Sequence, residues 1–164
     1  MLEPLDSFKT FNEFFYRKLK PGARTLASPD DPKVAVSPAD CRMMAFPSIN
    51  EATRLWIKGK EFSVKTLLQS QDLSTFFKDG SLAVFRLAPQ DYHRFHSPVN
   101  GTLADYTDIQ GTFYTVNPMA IREREVDVFT ENKRSFTLID SQEFGVVAYC
   151  IIGAMLVGSI NITR

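Results

Sequence analysis

The apolar residues of this chain fall into two textures, helical in its first half and strand-like in its second. Phe11, Phe14, Phe15 and Leu19 recur at the spacing that gives a helix one apolar face. Thr10 precedes them with Glu13 three residues on, the spacing of a capping box, in which each side chain satisfies the other's free backbone amide. Pro21-Gly22 is expected to stop this helix. Its aromatic density also suits a helix lying on a membrane surface, although packing on a core is the default. From Ala23 to Ile49, Pro, Asp and Ser predict loops with short extended pieces. Phe62 to Phe77 reads as a second helical region, broken near Ser70-Gln71 and closed by an Asp79-Gly80 turn. Leu67 and Leu68 are expected to face inward before the break, Phe76 and Phe77 after it.

Beyond that turn, short runs separated by turn residues predict strands at Leu82–Leu87, Gly101–Tyr106, Thr112–Val116, Val126–Thr130 and Ser135–Ile139. Glu131-Asn132-Lys133-Arg134 is the expected hairpin turn between the last two. Phe144 to Ile160 carries no charge and approaches the length of a bilayer span. Gly145, Gly153 and Gly158 punctuate it, however, and many of its residues are β-branched. Two short buried strands with a bend near Gly153 are therefore expected instead. The pattern predicts an α+β fold: a mainly antiparallel, β-rich body with a few short helices near the N-terminal half, in a single domain over residues 1–164.

Composition narrows the function without naming it. Apolar residues make up 44% and charged residues 23%, the balance of a globular chain rather than a disordered one. Lys plus Arg and Asp plus Glu number 19 each, so no net field draws the molecule to nucleic acid or anionic lipid. Cys41 and Cys150 stand far apart and outside any CxxC pattern, which predicts two buried thiols rather than a zinc site or a disulfide framework. Met1 to Asp6 lacks the basic and apolar regions of a signal peptide and reads as a piece of a longer chain.

The chemistry concentrates in one place. Both histidines, His93 and His96, sit three apart in Pro89-Gln90-Asp91-Tyr92-His93-Arg94-Phe95-His96-Ser97-Pro98, flanked by prolines. A metal site would need a further ligand, and no other His remains. Either histidine alone would most simply satisfy backbone groups in a turn. Together they also suit proton transfer, with a carboxylate to orient them. Spacing alone does not choose among these readings.

The wording of the wider segment does. RLAPQDYHRFHSPVNG, Arg86 to Gly101, closely resembles the signature of the phosphatidylserine decarboxylases. Further blocks of that family follow in order: FNEFFYRKLKPGAR (Phe11 to Arg24), SPAD (Ser37 to Asp40) and IKGKEFSVKTLL (Ile57 to Leu68). FYTVNP (Phe113 to Pro118), FTENKR (Phe129 to Arg134) and EFGVVAYCIIGAMLVGSI (Glu143 to Ile160) complete the series. Collinear blocks over nearly the whole chain are far more specific than any one motif.

The resemblance implies an enzyme that uses a covalent pyruvoyl group in place of pyridoxal phosphate. Such proenzymes cleave themselves before a serine, usually in a Gly-Ser-Thr motif, and that serine becomes the pyruvoyl cap of a small α chain. This chain would be part of the larger β chain, with the α chain as its partner. By resemblance His96 is the base that deprotonates the serine, and Asp40 orients His96, the logic of an activated nucleophile. His93 matches the family's first histidine, which contacts the substrate carboxylate or helps protonate the product carbanion. An apolar pocket around it would favour loss of CO2 by desolvation, and Tyr92 and Phe95 are candidates for its walls. Arg94 has two readings, a contact with the lipid phosphate and, more plainly, a surface arginine. Asp91 is the nearer carboxylate in sequence but is expected to cap a turn, leaving Asp40 as the partner of His96.

Two features depart from the family pattern. Cys41 stands where many relatives have glycine, and no Gly-Ser-Thr occurs before Arg164. The cleavage serine is thus expected outside these residues, and the chain alone is expected to be inactive. The leading expectation is decarboxylation of phosphatidylserine to phosphatidylethanolamine by a peripheral membrane protein of undetermined compartment, with homodimerisation possible in principle. Competing readings are a relative acting on a free amino acid such as tryptophan, a noncatalytic β-rich binding module, and a metal site at the histidines.

Overall fold

The computed structural model describes residues 1–56, 62–117 and 127–163. The first part of the Ile57–Leu68 block and the Val126 end of one expected strand lie outside the described residues. After a 3-10 turn at Leu5–Ser7 comes helix α1, Phe11–Phe15. Its capping box forms as expected: Thr10 Oγ1 accepts from the Glu13 amide at 3.2 Å, and Glu13 Oε2 accepts from the Thr10 amide at 3.3 Å. The helix ends sooner than Pro21-Gly22, because the Tyr16 amide closes it on Asn12 and Phe14 carbonyls. Leu19 lies beyond it, and Phe11 is exposed, so the inward face is reduced to half-buried Phe14 and Phe15.

Strand β1 (Arg42–Phe46) and helix α2 (Ile49–Trp56) follow, the latter where no element is expected. Helices α3 (Val64–Leu68) and α4 (Gln71–Phe76) divide where expected. Gln69 takes a left-handed φ of 50°, and Ser70 caps the new helix through the Leu73 amide. Leu68 is buried and Phe77 half-buried against the core, whereas Phe76 points outward, 64% exposed. Strand β2 is Leu82–Arg86, and it pairs with β1.

The second half departs further from the expected strands. Strand β3 runs over Thr102–Ile109, but Thr112 to Val116 makes only one bridge, between Thr112 and Asn132. Val128–Glu131 is helix α5 rather than strand. Asp127 caps it, accepting from the Phe129 amide at 3.0 Å and the Thr130 hydroxyl at 2.8 Å; this local cap outweighs the β propensity of Val128 and Phe129. The expected hairpin at 131–134 is accordingly absent. Strand β4, Arg134–Ser141, instead pairs antiparallel with β3, from Thr102 opposite Asp140 to Ile109 opposite Arg134. Turn residues 142–144 lead into β5, Gly145–Ile152, giving the sheet order β3-β4-β5.

The uncharged C-terminal stretch thus supplies one strand, not two. The chain bends at Gly153, and Ala154 and Val157 close a tight turn through mutual backbone hydrogen bonds of 2.7 and 2.9 Å. A Cβ at Gly153 would sit 3.0 Å from the Val157 carbonyl oxygen and 3.1 Å from that of Lys133, which explains the glycine. Among the described residues no helix is long and apolar enough to cross a membrane. The α+β class with its β-rich body holds, with one short helix, α5, inside the β-rich half.

The chain forms two compact units, each discontinuous in sequence. The unit of residues 45–82, 102–140 and 146–164 contains the main core, Val64, Leu68, Ile109 and Phe136, with Leu138 and Cys150 packed against it. Full burial of each such side chain contributes roughly 1.5–3 kcal/mol. Two buried polar residues of the FTENKR block, Asn132 and Arg134, tie this unit together. Asn132 donates to the carbonyls of Tyr114 and Gly153 and accepts from the Tyr114 amide and the Thr112 hydroxyl, so its amide is fully used. Cys41 and Cys150 are both free thiols and half-buried rather than fully buried. The other unit, residues 1–44, 83–101 and 141–145, holds the two histidines.

Candidate active site

The site is assembled by two extended segments laid side by side in that unit. The Val36 amide donates to the Pro98 carbonyl at 2.9 Å, and the His96 amide donates to the Pro38 carbonyl at 2.7 Å. These rungs advance in opposite directions along the two segments, so SPAD and the histidine segment run antiparallel. Pro38 is buried between them, with Val99 and Tyr92 buried close by in sequence. Prolines suit both segments, since they keep the backbone extended and need no amide partner. The consequence is local: Asp40, two residues past the last rung, is carried to the histidine segment, near enough for the charge of His96 to act on its carboxyl.

His93 is fixed by its ring on both sides of the question of tautomer. Its Nδ1 lies 2.9 Å from the Asp91 carbonyl oxygen, which can only accept, so Nδ1 carries the proton. Nε2 is then the nitrogen left for chemistry. The Phe15 ring lies 3.8 Å from the imidazole, centroid to centroid, at 30°, and forms an apolar wall. Asp91 accepts from the Ala88 amide at 2.7 Å while its own amide donates to the Ala88 carbonyl at 2.9 Å. It is the turn cap expected of it. His96 is exposed and stacks on Tyr92, with 6.2 Å between centroids and 19° between planes.

Asp40 is held by Arg24 and, among the described residues, makes no hydrogen bond to His96. Arg24 Nε lies 2.8 Å from Oδ1 and 3.0 Å from Oδ2, and Nη2 makes a further close contact with Oδ2. These bonds, followed by the charges of Arg24, Arg17 and His96, keep the Asp40 carboxyl below its ordinary range against the opposing effect of burial. Asp40 is thus an ionised carboxylate within the field of His96. Arg17 itself lies over the Phe14 ring at 4.6 Å and bonds the Phe14 carbonyl.

The family described as phosphatidylserine decarboxylase matches residues 11–164. The chain belongs to the phosphatidylserine decarboxylase family. It is 54% identical, over 99% of its length, to phosphatidylserine decarboxylase proenzyme 2 of Oryza sativa subsp. japonica, covering 26% of that protein. It is 57% identical, over 98% of its length, to phosphatidylserine decarboxylase proenzyme 3 of Schizosaccharomyces pombe, covering 16% of it. To the proenzyme of Chlamydia muridarum it is 45% identical over 99% of its length, and there it spans 53% of the relative. The chain therefore corresponds to about half or less of the length of these relatives.

Within this family chain, the structure brings Asp40, His93 and His96 into one unit and gives two arginines, Arg24 and Arg94, bracing roles that the sequence does not show. Arg94, read as a surface residue, is half-buried; its Nε donates to the Tyr16 carbonyl at 2.8 Å and so fastens the end of α1 to the histidine segment. That bond keeps Phe15, one residue earlier, over His93. Arg24 closes the FNEFFYRKLKPGAR block. Nothing in the spacing betrays either role, since the partners lie 78 and 16 residues away. Phe95 is half-buried and Tyr92 buried, and Phe15 supplies a wall against His93. Among the described residues no three His, Cys, Asp or Glu side chains gather as a metal site.

Proposed function

We propose that the whole protein decarboxylates phosphatidylserine to phosphatidylethanolamine at a membrane surface, and that this chain supplies its proton-transfer residues. We further propose that residues 1–164 form one domain of the larger chain, because the two compact units interleave in sequence and neither is a continuous segment. The observation that carries the functional reading is the pair of rungs setting SPAD against the histidine segment, in a chain that matches the family over residues 11–164.

The partner in this reading is an α chain bearing a pyruvoyl group, which would supply the carbonyl that holds the substrate amine and the electron sink for loss of CO2. The residues present suit such a group. His93 has Nδ1 committed to the Asp91 carbonyl and an aromatic wall, so Nε2, once it has taken up a proton, would donate to the substrate carboxylate or pass that proton to the carbanion after CO2 leaves. Before that, His96 takes the proton of the cleavage serine, with ionised Asp40 stabilising the resulting imidazolium. Exposed Leu2, Leu5 and Phe11, in the same unit as the histidines, suit work at a lipid surface.

The test is CO2 release by the complete protein from phosphatidylserine vesicles, with free serine and free tryptophan as parallel substrates. Release from the lipid alone is expected, falling by about a hundredfold or more in His93→Ala. Release from a free amino acid alone would move the protein to the soluble branch of this chemistry. Release from neither would leave a noncatalytic module.

A further inference from the structure

We propose that Arg24 is a positioning residue for self-processing: its guanidinium fixes the plane of the Asp40 carboxylate beside His96. The inference rests on the functional reading above and adds a residue to it. Three of the guanidinium's nitrogens are spoken for. Nε and Nη2 hold the two Asp40 oxygens, and Nη1 donates to the Ala23 carbonyl at 2.8 Å, so the group is itself braced. The brace is local: Gly22 has a left-handed φ of 77°, and the Ala23 amide closes a turn on the Lys20 carbonyl at 3.0 Å.

Stability does not account for this contact. The Arg24 side chain is 59% exposed and that of Asp40 29%, and exposed ion pairs contribute little to folding. A two-pronged guanidinium–carboxylate contact does, however, fix orientation in a way that one charge near another does not. The ion pair of Lys78 with Asp79, at 3.9 Å, has no such fork. A carboxylate offers about four lone-pair directions. Three contacts from Arg24 leave Asp40 able to accept from the His96 ring when that ring becomes protonated.

The charged and titratable groups facing this pair are Arg17 and His96 toward Asp40, and Tyr92 toward Arg24. Removing Arg24 takes away the largest influence keeping Asp40 ionised, and the charge on Arg17 remains. Asp40 would then titrate at higher pH, and the acid side of the processing profile would move upward with it. In chemical terms, His96 takes the serine hydroxyl proton as the serine oxygen bonds to the preceding carbonyl carbon. The amide C–N bond then breaks and its nitrogen receives a proton, leaving an ester. A neutral Asp40 supports none of the charge that His96 acquires in this step.

The experiment follows cleavage of the complete proenzyme, made by cell-free translation and chased across the acid-to-neutral range, for wild type, Arg24→Gln, Arg24→Lys and Asp40→Asn. Arg24→Gln is expected to slow cleavage on the order of a hundredfold and to shift the acid limb to higher pH. Arg24→Lys, which restores charge without the fork, is expected to return the acid limb toward wild type while staying slower. Wild-type rate and limb in Arg24→Gln, beside a dead Asp40→Asn, would overturn the inference alone. Loss of fold in both Arg24 variants, seen as loss of the melting transition, would overturn it in favour of a structural role. A wild-type chain that never cleaves would overturn the functional reading, and the inference with it.

Discussion

Arg134 is fully buried and spends its guanidinium on carbonyls. Nε donates to Leu67 at 2.7 Å, Nη2 to Thr66 at 2.9 Å, and Nη1 to Thr130 and Asn132 at 2.7 and 2.9 Å. Burial lowers its pKa, with Cys150 and Asp127 opposing that effect. The carbonyls belong to the last turns of α3 and α5 and to the residue after α5, where the helix dipole favours a cation. Arg134→Met leaves these acceptors without a donor and is expected to cost about 3 kcal/mol or more, read from the midpoint of urea unfolding. Lysine cannot reach several carbonyls from one point and is expected to rescue little. The Asp40 and Asp108 carboxyls are held low by hydrogen bonds from Arg24 and from Ser135 and Tyr106 respectively, and this makes stability depend on pH in the acid range. Their stabilisation is present above the ordinary carboxylate pKa of about 4 and is lost as pH falls through their lowered folded values. Cys150 is pushed up to about 12 by burial, so its contribution is present at neutral pH and erodes only above the ordinary thiol range. At this scale the sequence exposed residues whose partners lie nearby, such as Asp91 with Ala88. It concealed Arg24, Arg94 and Arg134, whose partners depend on chain segments meeting in space.

Short elements with their own caps were legible for the same reason. Thr10 with Glu13, and the break at Ser70, are complete within four residues, and both formed where expected. Thr10→Ala is expected to cost about 1 kcal/mol, seen as about fivefold faster hydrogen exchange at the Glu13 amide, with Thr10→Ser retaining protection. Helix α5 misled because its β-prone residues follow a capping aspartate, and the cap is the stronger local determinant. The missing hairpin followed from that error: with Val128–Glu131 helical, β4 found β3 across a long connection that no turn residue announces. In the 144–160 stretch, glycine spacing marked the bend at Gly153 correctly. What lay beyond it was a turn rather than a strand, with Leu156 at a φ of 65° and almost wholly exposed.

For the molecule as a whole, fold class and candidate site were legible to different degrees. Periodicity was enough for α+β. The site needed the resemblance, because neither charge nor spacing chooses between a histidine that caps a turn and one that moves protons. The structure then contributes the rungs between residues 36–38 and 96–98, the tautomer of His93 and the clamp on Asp40. Each of these belongs to the unit of residues 1–44, 83–101 and 141–145. The central proposal is that this unit serves a self-processing proenzyme. The most direct test is the intact mass of the protein expressed from its complete reading frame, with and without a carbonyl-reactive hydrazide. Two fragments are predicted, the smaller gaining the mass of the hydrazide, and His96→Ala is predicted to leave a single chain. One uncleaved chain without hydrazide uptake in the wild type would contradict the claim.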